Sequence, residues 1–316
     1  MRGIPTTRRR GVRVDLDRAR AIEQAIAEAR GGDVVVLLGK GAERTQEVDG
    51  RTVLGHPGGP TGPRPATVMS AAARTRPFLP AEWRHPVMLN DEIDPAVLAP
   101  LVPSATELDL WLGRALVSVV GFRFLGTRVL GRPVPLHTDF DEVNLRFYVR
   151  HLPPGGDARR GVVFVREFVP RVAIASVAWL AYNEPYRAVP MRSTVPAALT
   201  EAPGRLIYEW RAHAAWHRLA TTAAGAPAAP AASSEAAFIT GHHWGYTRQR
   251  DGATVEYEVT HPVWRVWAAA DPVLAADVTT LYGPSFAVAL SRPPVSALVA
   301  EGSPVVVHSP RRLVSI

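Results

Sequence analysis

Cysteine is absent from this 316-residue chain. Disulfides, thiolate metal ligands and a cysteine nucleophile are therefore excluded. Lysine is nearly absent. Lys40 is the only one among 36 lysine and arginine residues. Wholesale use of arginine, with abundant alanine, valine and proline, reads as compositional bias. The formal net charge of +7 is therefore weak evidence for a polyanion partner. Basic residues are mixed with acids along the chain, and only Arg8–Arg10 cluster, so no nucleic-acid footprint is expected. No apolar run is long enough to span a bilayer. The longest, residues 168–182, contains Arg171. The first twenty residues carry basic side chains without an apolar core, unlike a signal peptide. The expectation is a cytoplasmic protein with no membrane partner. A homo-oligomer is left open.

Three regions can be told apart. Residues 12–54 read as one αβ unit. Asp17 caps a helix with Ala19, Ile22, Ile26 and Ala29 on one stripe, and "DVVVLLG" (33–39) reads as a buried parallel strand. Residues 56–77 are rich in glycine, proline and alanine and read as a linker. From residue 78 to 316 the texture is β-rich. Residues 114–130 read as a long strand or a pair, and 142–150 with 161–169 as two strands joined by a Pro-Gly loop. Residues 242–267 are expected to form a hairpin turning at Asp251-Gly252. Residues 170–182, apolar nearly all round, read as a helix buried against the sheet, and a short helix is expected near 272–290. The fold class is α+β, mainly β.

The segment "DEVNLRFYVR" (141–150) alternates almost without a slip. Glu142, Asn144, Arg146 and Tyr148 share one face, and Val143, Leu145, Phe147 and Val149 the other. The apolar face is core. Glu142 and Arg146 are about 13 Å apart along a strand and cannot touch. Each needs a partner on a neighbouring strand, in water or on a ligand. The expected neighbour, 161–169, is apolar on both faces except at Arg166 and Glu167, which suggests cover on both sides. Two readings stay open, a structural ion-pair network and the polar wall of a cavity. In the second, Glu142 can act as a base and Arg146 can hold an anionic group, with Asn144, Tyr148 and Arg166 at the ligand. Glu184 and Tyr186, in "YNEPYR", would form its lip. The partner would be a small organic anion, and no cofactor is expected. His242-His243 lack metal-ligand spacing, so no metal is expected. Whether any reaction is catalysed is left open.

Two resemblances add to this. Asp17-Arg18, Gly32-Asp33-Val34-Val35 and Gly39-Lys40-Gly41 with Glu43 resemble the end of the Mur ligase C-terminal domain. In those enzymes this loop helps hold the incoming amino acid, which would make Lys40 and Glu43 a small ligand-contacting loop. The chain has no G-x-x-x-x-G-K-[ST] phosphate loop, so ligation driven by ATP is not expected of it alone. Residues 85–316, through "ATELDLWLGRALVSVVGFRF", "FDEVNLRFYVR", "YNEPYRAVPMR", "HHWGYTRQRDG" and "LYGPSFAVALSRPP", resemble the YqjF-like family, related to acetoacetate decarboxylase. The resemblance implies an antiparallel β-barrel or cone with an interior cavity. Acetoacetate decarboxylase works through a Schiff-base lysine. No lysine follows Lys40, and a guanidinium cannot substitute, because it stays protonated.

Overall fold

The computed structural model describes residues 36–37, 45–48, 51–54, 69–70, 77–129, 132–133, 138–170, 183–196 and 204–313. The expected helix at 17–30, that at 170–182 beyond its first residue, and the loop with Lys40 and Glu43 lie outside them. The chain divides into two compact units, Met1–Arg74 and Thr75–Ile316. In the first, Val36–Leu37 pairs in parallel with Met69–Ser70, and Thr45–Val48 pairs antiparallel with Arg51–Leu54.

The second unit is built on strands β1 (Pro77–Ile93), β2 (Ala115–Leu125), β3 (Phe140–His151), β4 (Arg159–Val169), β5 (Tyr186–Ala188), β6 (Met191–Thr194), β7 (Gly204–Ala212), β8 (Ala215–Ala228), β9 (Trp244–Arg248), β10 (Thr254–Thr260), β11 (Val266–Ala275), β12 (Ser296–Ala300) and β13 (Gly302–His308). Valine, phenylalanine and other branched or aromatic residues dominate the long strands, as a pleated, covered surface favours. Four short α-helices accompany the strands among the described residues: α1 (Pro95–Leu98), α2 (Glu235–Thr240), α3 (Val278–Tyr282) and α4 (Pro284–Leu290). The class is mostly β with few helices. Among the described residues no helix is long and apolar enough to cross a membrane.

Seven of the pairings return to the strand they start from. β1 pairs with β2, β2 with β3, β3 with β4, β4 with β9, β9 with β10, β10 with β13, and β13 with β1. Only β4–β9 is parallel. β1 is long enough to pair with β13 at one end and β12 at the other. From β12 the sheet continues through β11, β8 and β7 to β6.

The alternation of β3 separates two apolar clusters. Val143, Leu145, Phe147 and Val149 pack with Leu206, Tyr208, Trp210 and Leu219 of β7 and β8. Phe140 and Tyr148 belong to a second cluster with Phe122, Phe124, Tyr257 and Trp264. The β9–β10 hairpin turns at Asp251-Gly252, where Gly252 has φ +83°. An L side chain is strained there. Gly252→Ala is expected to lower stability by about 1 kcal/mol, read as a lower denaturant midpoint at constant slope.

Candidate functional site

Every strand of the seven-membered circuit contributes lining to one cavity of about 110 Å³. That is comparable with the ~150 Å³ cavity known to take up benzene. Its walls are largely aromatic and aliphatic. Trp83 packs edge-on to Phe122, Phe124 and Trp264, with ring centroids 5.2, 5.7 and 6.2 Å away. Into this apolar space project Glu142, Asn144 and Arg146 from β3, Glu167 from β4, Glu184, Tyr186 and His242.

The three carboxyls are buried: Glu142, Glu167 and Glu184 are 2%, 0% and 4% exposed. Glu142 accepts from Asn144 Nδ2 at 2.8 Å and from the Tyr186 hydroxyl at 3.3 Å. Burial pushes its pKa up to about 7, although these hydrogen bonds and the Arg146 charge pull it down. Glu184 accepts from the Tyr257 hydroxyl. Burial, with the Glu142 charge, raises it to about 8 against that bond. Glu167 is raised well above the usual carboxylate range by burial and by Glu184 and Glu142, which the nearby Tyr186 hydroxyl offsets only in part. Neither Glu167 oxygen has a hydrogen-bond partner among the described residues. Such a cluster holds protons at neutral pH, because three carboxylates in one dry space cannot all ionise.

Glycine makes one of these contacts feasible. A Cβ on Gly245 would collide with the Tyr257 ring. Without it, the ring passes close over Gly245 and its hydroxyl reaches Glu184.

Arg146 is half-buried. Its Nη2 lies 3.7 Å from the Met88 sulfur, and its Cζ is 5.9 Å from the Tyr148 ring centroid. Among the described residues no carboxylate pairs with it, and its Nε has no partner. The other arginines near carboxylates are paired: Arg160 meets Asp109 at 2.6 Å and Arg150 meets Glu107 at 2.7 Å.

Two expected ligand residues are elsewhere. Tyr148 faces the same side as Arg146 but lies behind the lining. Its hydroxyl is 2.5 Å from Ser118 Oγ, and its ring packs on His242 and Phe238. Arg166 points away from the cavity, beside Arg187 and Tyr282, and Glu167 takes the inward position. The cause is a bulge. Arg146 is opposite Phe164, but Leu145 is opposite Arg166, so β4 carries one extra residue at Val165. Val162 and Phe164 face inward with even numbers, and the extra residue reverses the parity beyond it.

His242 is a site residue the sequence did not reveal. Its Nε2 is 3.1 Å from Asp109 Oδ2. Burial lowers its pKa to about 4, so the ring is neutral and donates Nε2–H to Asp109. Burial pushes Asp109 upward, but hydrogen bonds from His242 and Arg160 outweigh it and hold the acid below its usual range. The Nδ1 of His242 has no partner among the described residues and is left as an acceptor. Among these residues no group of His, Asp and Glu has the geometry of a metal site.

A mostly β chain whose cavity gathers acids, an arginine and aromatic walls has solved counterparts. An acetoacetate decarboxylase from Legionella pneumophila superposes with a TM-score of 0.53 at 14% identity, covering 80% of this chain and 92% of that one. An acetoacetate decarboxylase-like enzyme from Sphingomonas wittichii gives 0.53 at 16% identity, covering 75% and 93%. The enduracididine biosynthesis enzyme MppR, complexed with pyruvate, gives 0.54 at 13% identity, covering 77% and 93%. At these identities the likeness is one of fold. Residues 80–310 match the DUF2071 family, described as an uncharacterized conserved protein (COG2071), and the chain belongs to it. No curated protein matches the chain. Residues 12–54, where the Mur ligase-like segment is expected, lie outside the family match, and no comparison shows that likeness.

Proposed function

We propose that the seven strands close into a small barrel and that its interior binds a small organic acid. One observation carries this: Arg146 faces an apolar cavity with no carboxylate partner among the described residues, beside three buried glutamates. A guanidinium in such a place recognises a carboxylate through paired N–H donors. The aromatic walls suit an apolar carbon skeleton. Glu142, with a pKa of about 7, can both accept and return a proton at neutral pH, which suits acid–base chemistry next to the bound carboxylate. Schiff-base chemistry is not part of the reading, since residues 75–316 contain no lysine.

The test is thermal-shift titration with butanoate, pentanoate and 2-oxobutanoate, and with the corresponding methyl esters. The free acids are expected to stabilise the protein and the esters are not. Arg146→Ala is expected to weaken binding of the acids by about tenfold or more. Equal shifts for acid and ester, or an Arg146→Ala response like that of the native protein, would remove the proposal.

A further inference from the structure

Of the three cavity acids, Glu167 is the one whose oxygens no described residue satisfies. It is fully buried, and its backbone pairs with Asn144 on one side and Tyr186 on the other. Both neighbours are donors, yet Asn144 Nδ2 gives its proton to Glu142, and the Tyr186 hydroxyl, 3.3 Å from Glu142, is divided between the two acids. Glu184, two residues before Tyr186, accepts from the Tyr257 hydroxyl. The remaining titratable groups facing the cavity are Arg146 and the neutral His242. Glu167 thus has at most a share of the Tyr186 hydroxyl and no full hydrogen bond of its own among the described residues. A buried carboxyl without a full hydrogen bond is rare in folded proteins and calls for an explanation. A ligand that brings its own N–H supplies one.

Arg146 stands two residues along β3 from Asn144, which is the residue opposite Glu167. Two strand residues span about 7 Å. The backbone positions that carry the cation and the acid are therefore about that far apart along one wall of the cavity. The methylenes of an extended chain of roughly four or five carbons would fill the span. An α-amino acid, whose charges are separated by one carbon, is too short.

We propose that the ligand is a zwitterion of the ω-amino acid class, its carboxylate on Arg146 and its terminal nitrogen donating to Glu167. This rests on Arg146 as the carboxylate anchor. An ammonium docking on Glu167 favours the carboxylate form, so the carboxyl releases its proton to the solvent and the ion pair forms in its place.

Calorimetry of the intact chain at pH 7, in two buffers of different ionisation enthalpy, tests this with 5-aminopentanoate, pentanoate and 2-aminopentanoate. The expected result is that 5-aminopentanoate binds about tenfold or more tighter than pentanoate and releases up to about one proton. 2-Aminopentanoate is expected to show no gain. Glu167→Gln is expected to keep pentanoate binding, abolish proton release and remove most of the preference. Pentanoate binding equal to or tighter than that of 5-aminopentanoate, without proton release, overturns the zwitterion and leaves the carboxylate site standing. No binding of either compound overturns both. The proton count on the native protein decides the matter even if the variant does not fold.

Discussion

Glutamine in place of Glu184 is expected to raise the midpoint of thermal unfolding at pH 8 and to leave it unchanged near pH 4. Burial holds the Glu184 carboxyl protonated to about pH 8, whereas in the unfolded chain it ionises near 4.5. Between those values the native state holds a proton that the unfolded state has lost. Stability is therefore greatest below about pH 4.5, declines as pH rises and reaches its lower plateau above 8. Glutamine keeps the shape and the acceptor for Tyr257 and has no proton to lose. The gap between variant and native protein opens through that window. A shift of this kind is worth on the order of 3 kcal/mol for a buried group sharing its repulsion with neighbours. For a domain of this size that is roughly 6–12 °C. Glu142 and Asp91, both raised to about 7 by burial, tilt the native curve in the same direction. A variant that gains equally at pH 4 and pH 8 would mean that Glu184 is not held protonated by the fold.

Leu145→Ala is expected to cost about 2–5 kcal/mol. Leu145 is fully buried on the face of β3 opposite the acids, among Val143, Phe147 and the side chains of β7 and β8. Truncation leaves a void between β3 and the β7–β8 part of the same sheet, where the paired backbone has little freedom to collapse. Urea unfolding at pH 6 reads the effect as a lower midpoint. A loss under about 1 kcal/mol would contradict the packing on this face.

These two faces were legible in the sequence because side-chain parity is a property of the extended backbone itself. "DEVNLRFYVR" needs no tertiary information to divide Glu142, Asn144 and Arg146 from Val143, Leu145 and Phe147. Parity also explains the error at Arg166. Counting by twos from Val162 and Phe164 brings Arg166 inward, and a bulge leaves no reliable local mark among valines and phenylalanines. His242 was out of reach for another reason. Its partner Asp109 is 133 residues away, and only the assembled strands bring them together. The circuit itself is similar, since β13 returns to β1 across more than two hundred residues.

Arginine at position 146 has a consequence for how the interior responds to its surroundings. Its charge is permanent, while the three carboxyls around it gain theirs as pH rises. In acid the chamber is a lone positive pole in hydrocarbon. In alkali the same walls enclose a surplus of negative charge. On the proposed reading, each carboxyl that ionises as pH rises works against Arg146, and an anion is expected to be held more weakly in alkali than in acid.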